Sequence, residues 1–275
     1  NSTMNLLQFY QGGISMSDRD YYLLEDENTL KIRNAYRQYI DRIFVLAGYS
    51  PEEAAQAADA VLGLETEIAR ISVDRATLRD VHKNYNKMSL KEFTTKYDFI
   101  DWNEFFKETG ISKSTELNAG QIPFFEGLTR ILKTTSLEDQ KLYLSFKLLN
   151  AASSYLSDDF VNANFDFYGR ALQGKEELQP RWKRSLAVVN RSLAEAFGQM
   201  YVEKYFPASS KEKMIEMVSN LQTALGERIE ALEWMSDETK SKAMEKLGTF
   251  IVKVGYPDNW KDYTALEIKN DSYWA

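Results

Sequence analysis

No cysteine occurs in the 275 residues. That excludes disulfides, thiolate nucleophiles and thiolate metal sites. There is one histidine, His82. A catalytic zinc centre usually takes three protein ligands, two or three of them imidazoles, so His82 alone cannot supply one. A Ser-His-Asp triad would have to use the same residue, in Arg79-Asp80-Val81-His82-Lys83-Asn84. No Gly-x-Ser-x-Gly elbow accompanies it. His82 is therefore expected to be a polar helix-end residue. Only five prolines and thirteen glycines are present, too few for long irregular stretches. No apolar run reaches the roughly 18 residues of a membrane span. Asn1 to Tyr10 lacks the basic-then-apolar order of a signal peptide. No Lys/Arg-dense stretch interleaves with aromatics, and the net charge is −7, so nucleic acid is not an expected partner. No Gly-rich phosphate loop is present, since Gly169 and Gly174 lack the required companions.

What the chain does have is helix signals and bulky side chains. Sixteen Tyr, fifteen Phe and five Trp provide large apolar faces to bury. Leu30, Arg33, Tyr36, Arg37, Ile40, Ile43 and Phe44 recur at three- and four-residue steps, with Gly48 as a stop. Ser50-Pro51-Glu52-Glu53 reads as an N-cap, a first-turn proline and a capping-box glutamate. The helix it opens carries Ala54, Ala58, Val61, Leu62, Leu64, Ile68 and Ile71. Glu65 and Glu67 on that helix read as solvated or salt-bridged. Ser89 with Glu92 and Asp101 with Glu104 open short helices, and Ser136 caps one running to about Leu156. Between Thr115 and Phe125 the period weakens and Pro123 interrupts it, which predicts a loop or short strand.

A single long helix is predicted from Pro180 to Tyr205, then one from Lys211 to Met235, then one capped by Ser236 and stopped at Gly255. The default for Trp182, for Trp234 and Met235, and for the aromatic stripe from Phe197 to Tyr205 is core packing. Leu6 to Tyr10 reads as a strand that has lost its partner, as though the chain began inside a fold. The expected fold is mainly α, an irregular multi-helix lobe with little β-structure. Residues 1–22 form a strand-like entry and turn, 26–254 a helical body and 256–275 an irregular tail.

Five strings, in order, carry a resemblance. They are Gly12-Gly13-Ile14-Ser15-Met16-Ser17-Asp18-Arg19-Asp20-Tyr21-Tyr22; Tyr85-Asn86-Lys87-Met88-Ser89-Leu90; and Phe167-Tyr168-Gly169-Arg170-Ala171-Leu172 with Pro180-Arg181-Trp182-Lys183-Arg184. Gly198-Gln199-Met200-Tyr201-Val202-Glu203-Lys204-Tyr205-Phe206 follows. The last is Leu232-Glu233-Trp234-Met235-Ser236-Asp237-Glu238-Thr239-Lys240 with Val254-Gly255-Tyr256-Pro257-Asp258. Together they resemble the N-terminal, non-catalytic region of the neprilysin and endothelin-converting-enzyme family of zinc metalloendopeptidases. Met16-Ser17 stands where the family usually has Leu-Pro. The lack of cysteine looks like a bacterial member. The His-Glu-x-x-His zinc helix, the downstream glutamate ligand and the Asn-Ala substrate strand of the family are absent. No catalytic, metal or substrate-binding residue is therefore carried over.

The resemblance implies a helical lobe that closes over a zinc lobe of the same polypeptide and admits peptides of limited size. Zinc would belong to the parent protein and not to this chain, and the location would be outside the cytoplasm. A lobe separated from its partner would expose Leu6 to Tyr10 and the tail residues Tyr263, Leu266, Ile268, Tyr273 and Trp274, and would either cover them by self-association or leave both ends mobile. The competing reading is a stand-alone helical peptide- or protein-binding module without activity; a third is a structural interaction protein. Within the strings, Asp18-Arg19-Asp20 reads as a salt-bridged turn with the arginine held by its flanking aspartates. The cations of Pro180 to Arg184 read as a solvated face, with contact to an acidic partner or lobe as the functional alternative. Asn1-Ser2-Thr3, Asn190-Arg191-Ser192 and Asn270-Asp271-Ser272 match the glycosylation sequon.

Overall fold

The structure, a computed structural model, describes residues 5–111 and 115–269. The chain divides into two compact units, Asn1–Leu178 and Gln179–Ala275. The fold is mainly α, as the periodicity and caps predict.

In the first unit the elements run β1 (Leu7–Phe9), α1 (Asp20–Leu23), α2 (Glu27–Leu46), α3 (Pro51–Ile71), α4 (Arg75–Leu78), β2 (Lys87–Ser89), α5 (Leu90–Lys96), α6 (Trp102–Glu108), β3 (Glu116–Ala119), α7 (Ile122–Thr134), α8 (Leu137–Ala152) and α9 (Asp158–Asn164). A 3-10 turn at Ser153–Tyr155 follows α8, so that helix stops before Leu156. A π-helical segment, Phe165–Ala171, follows α9.

Local chemistry sets most boundaries. Asp26, Ser50, Ser89, Asp101 and Ser136 each accept a backbone N–H of their helix's first turn. At Ser50 the capping box is complete, with Glu53 bonding back to the Ser50 N–H. Gly48 closes α2 with φ at +96°, a conformation costly for any residue with a Cβ. Pro123 does not interrupt a helix but lies in the first turn of α7, where its missing N–H has no helical partner to lose.

The three strands form one sheet in the order β1-β3-β2. β1 runs parallel to β3 with Leu7 opposite Leu117 and Phe9 opposite Ala119. β2 runs antiparallel to β3 with Met88 opposite Leu117. The reading of Leu6 to Tyr10 as a strand without a partner is thus overturned: its partner lies 110 residues on in the same chain, beyond the reach of local pattern.

Two hydrophobic clusters fill this unit and α3 contributes to both. Tyr36, Ile40, Phe44, Val61, Phe146 and Phe167 anchor the first. Phe93, Tyr97, Trp102, Leu117 and Phe125, with Ile68 from α3, anchor the second. Each fully buried Phe contributes roughly 2–3 kcal/mol of transfer free energy. Phe9 stacks on Phe93 at 5.2 Å, which ties the sheet to α5.

The second unit holds α10 (Arg181–Ser192), α11 (Ala194–Tyr205), α12 (Ala208–Glu230) and α13 (Asp237–Gly248). The single helix expected over Pro180 to Tyr205 is two. Leu193 leaves helical geometry at φ −123° and ψ 38°, and a new helix starts beyond it. α12 ends at Glu230, so Trp234 and Met235 fall in the turn before the Ser236 cap. Among the described residues of this unit only Gly226 is buried, against Met244 and Leu247 of α13. The core reading of its aromatics is therefore corrected. Trp182, Trp234, Phe197, Tyr201 and Tyr205 are all exposed. The segment after α13 packs locally. Tyr256 stacks on Trp260, and Lys211 donates to the Tyr256 carbonyl at 2.9 Å and to Asp258 at 2.7 Å. Tyr273 and Trp274, and the sequons at Asn1 and Asn270, include positions outside the described residues.

Candidate functional site

Glu65 is fully buried in the middle of α3, so its reading as a solvated side chain is overturned. The 3.6-residue period of Val61, Leu64, Ile68 and Ala69 puts position 65 on the inward stripe, and the charge is satisfied there instead of turned outward. Tyr22 and Tyr36 donate their hydroxyls to Glu65 Oε2 at 2.6 and 2.7 Å. Ser15 donates its hydroxyl to Oε1 at 2.6 Å and its N–H to Oε2 at 3.3 Å. Lys147 from α8 stands 3.6 Å from Oε1, so the salt-bridge part of the reading holds. It also donates to the Ser15 hydroxyl at 2.9 Å and the Gly13 carbonyl at 3.1 Å.

The cluster fastens the Gly13–Met16 strap to α1, α2, α3 and α8 at once. Tyr22 takes the backbone N–H of Met16 at 2.9 Å while donating to Glu65. Tyr143 donates to the Gly13 carbonyl at 2.6 Å. Gly13 has φ +98°, and a Cβ there would lie 3.1 Å from the Tyr143 hydroxyl. The second glycine of the pair is thus required by both conformation and space. Burial and the Glu65 charge push the Tyr22 and Tyr36 hydroxyls well above the ordinary phenol value. Burial, with Glu65 as a lesser cause, raises Tyr143 too. With both carboxylate oxygens occupied by donors, Glu65 is a structural acceptor and not a free base.

The Asp18-Arg19-Asp20 turn is salt-bridged as expected on the Asp20 side, while Asp18 takes a different partner. Asp18 pairs with Arg75 and accepts the Asp20 N–H at 2.8 Å. Arg19 donates to the Ser72 carbonyl and stands 3.8 Å from Asp20. This pins α1 to the end of α3. Asn118 plays a comparable part in the sheet. It accepts the Asn86 N–H at 2.5 Å and donates to Gln8 Oε1 and the Asn84 carbonyl, each at 2.9 Å.

His82 is exposed in the turn after α4, where its backbone N–H donates to Asp80. It joins none of these clusters. Among the described residues no three His, Cys, Asp or Glu side chains gather where they could hold a metal ion. The donor set of the chain, one imidazole and no thiolate, does not fit a catalytic zinc ion. An open depression of about 450 Å³ lies over α1 and α3. Four of the charged groups that line it are paired: Arg33 with the Tyr21 and Leu24 carbonyls, Asp59 with Arg37, and Glu67 with Arg70. In the second unit, Lys183 lies over the Trp182 ring at 5.5 Å and Lys204 over Tyr205 at 5.2 Å.

Lys147 and Asn118 are not marked out by the sequence, and Glu65 is read there only as solvated or salt-bridged. The apolar period around Glu65 is the signal that places it inside.

The family model described as Peptidase family M13, for its N-terminal part, matches residues 1–257. The chain belongs to peptidase family M13. An endothelin-converting enzyme homolog of Locusta migratoria is 30% identical over all of this chain, which spans 40% of that protein. Human endothelin-converting enzyme 1 is 29% identical, again over all of this chain and 36% of its own length. Among solved structures, the Mycobacterium tuberculosis zinc metalloprotease Zmp1 in its open state aligns with 98% of this M13 chain and 42% of its own, at TM-score 0.84 and 32% identity. PepO from Lactobacillus rhamnosis shares the fold over 90% of this chain and 39% of its own, at TM-score 0.81 and 23% identity. This M13 chain spans about two fifths of the length of these relatives. No helix among its described residues is long and apolar enough to cross a membrane.

Proposed function

We propose that this chain is the substrate-restricting helical lobe of a zinc metalloendopeptidase that hydrolyses peptides, and that it has no peptidase activity by itself. The observation that carries the reading is the M13 N-terminal match across residues 1–257 in a sequence with one histidine and no cysteine. The relatives are named endothelin-converting enzymes and zinc metalloproteases. Their zinc chemistry would come from a second lobe of the same polypeptide, which is the partner this lobe closes upon. The lobe would act by size and shape: peptides of limited length enter and folded proteins do not. The open and partially open states of Zmp1 support a lobe arrangement that opens in that relative. The protein would work outside the cytoplasm.

The test compares the chain 1–275 with the longer protein encoded by its gene, on fluorogenic peptides of increasing length and on a folded protein. The longer protein should cleave short peptides in a chelator-sensitive manner and spare the folded protein. The chain alone should cleave neither. Chelator-sensitive cleavage by the chain alone overturns the reading, and a gene that stops at Ala275 turns it into a stand-alone binding module.

A further inference from the structure

We infer that the strap Gly13–Ser15 is a clasp between two separately packed halves of the first unit, and that the sheet half opens from the helical half as one body when the clasp lets go. The inference concerns the first unit alone and stands apart from the lobe reading above. The two hydrophobic clusters both draw on α3 but have no buried side chain in common. The helical half gathers α1, α2, Val61 and Ala69 of α3, and Phe146 and Phe167. The sheet half gathers the three strands, α5, α6 and α7 onto Leu64 and Ile68 of α3. Among the described residues only Ile14 and Tyr143 pack against both clusters. These two are tied together, because Tyr143 donates at 2.6 Å to the carbonyl of Gly13, the residue before Ile14.

The strap passes from one cluster to the other within its own length. At its start, a Cβ on Gly13 would lie 3.4 Å from Ile68 Cδ1 of the sheet half. At its end, Ser15 donates to Glu65, which shares a face of α3 with Val61 and Ala69 of the helical half. Lys147 holds both ends, donating to the Gly13 carbonyl at 3.1 Å and to the Ser15 hydroxyl at 2.9 Å. The two halves differ in how far each can stand alone. The sheet half is built of strands of three, three and four residues and, in α5 and α6, helices of seven residues. Helices that short do not persist without tertiary packing. The helical half has α2 with 20 residues, α3 with 21 and α8 with 16. The sheet half is therefore the part that opens, carrying the strap away from Glu65, Tyr143 and Lys147.

Hydrogen exchange tests this, followed by mass spectrometry in the protein its gene encodes, at rising urea below the unfolding transition. Peptides from β1, β3, α5, α6 and α7 should share one opening, of lower free energy than the opening of α2. Tyr143→Phe keeps the ring between the clusters and removes its bond to the strap. Ser15→Ala removes the hydroxyl bonds at the other end. Each should speed exchange of the sheet-half peptides about five- to tenfold. Tyr36→Phe is the deciding control. It removes a donor to the same carboxylate, but Tyr36 and Glu65 stay together in the helical half when the sheet half opens. It should lower the urea midpoint and leave sheet-half exchange unchanged. Equal opening free energies for the sheet half and α2 overturn the inference, since the unit is then a single body. So does unchanged sheet-half exchange in either strap variant, and so does acceleration of the sheet half by Tyr36→Phe.

Discussion

The Tyr36 hydroxyl of α2 donates to Glu65 Oε2 of α3 at 2.7 Å, with both side chains fully buried. The pair joins the two longest helices of the first unit through a carboxylate that also holds the strap before α1. Removing either end leaves the other without its partner in a place water does not reach.

Glu65→Ala should therefore cost about 3–5 kcal/mol, the range for breaking a buried, hydrogen-bonded charge cluster. Tyr36→Phe removes one of several donors and should cost only about 1–3 kcal/mol. Urea denaturation followed by circular dichroism measures both. A Glu65→Ala loss no larger than that of Tyr36→Phe would show that the carboxylate is not the hub.

Stability should fall at high pH for the same reason. The Tyr22, Tyr36, Tyr39, Tyr143 and Tyr168 hydroxyls are all raised in the folded state, chiefly by burial. A raised group contributes stability in full below its unfolded value, near 10, and loses it progressively as pH rises toward the folded value. Melting temperature should be flat to about pH 9 and then decline, more shallowly in Tyr22→Phe. Phenolate absorbance should rise at these tyrosines together with loss of ellipticity and not before it.

Two helical glycines should respond to alanine with opposite signs. A Cβ on Gly127 of α7 would lie 2.5 Å from Ile71 Cγ2 and 2.8 Å from its Cβ, so Gly127→Ala should destabilise by about 1–3 kcal/mol. Nothing lies within 4 Å of a Cβ on Gly63 in α3, and Gly63→Ala should stabilise by about 0.5–1 kcal/mol through helix propensity. Melting curves of the two variants decide it; a shift of the same sign in both contradicts the packing described.

Asn118→Leu should loosen β1 selectively. It removes the acceptor for the Asn86 N–H and the donors to Gln8 and Asn84 while leaving the apolar clusters filled. Hydrogen exchange at Leu7 to Phe9 should accelerate by at least about tenfold, with α2 and α3 unchanged. Uniform acceleration across the unit would mean that Asn118 supports global stability instead.

The parts of this fold legible in the sequence are those whose causes are local. Ser50, Ser89, Asp101, Ser136 and Ser236 cap helices through bonds spanning two or three residues, and each stands where the pattern predicts. The strand at Leu6 to Tyr10 and the short strand after Thr115 are legible, but their pairing is not, because the partners lie 110 residues apart and no local pattern links them. For Glu65 the salt-bridged reading holds, through Lys147, but its burial is missed because charge outweighs position in the reading. Core packing was expected of Trp182 and Tyr201 because helical spacing marks an apolar face without saying what meets it.

The parallel pairing of Leu7 with Leu117 also sets an order of events during synthesis. β2 cannot stand in for the missing neighbour, because it too bonds only to β3. Until residues 116–119 have left the ribosome, the first strand has nowhere to go, while α2 and α3, joined by a short turn, can already pair. The sheet should thus be a late-closing seam in the first unit, set after its first helical hairpin. During that interval Leu7 and Phe9 lack the Leu117 and Ala119 that later stand opposite them.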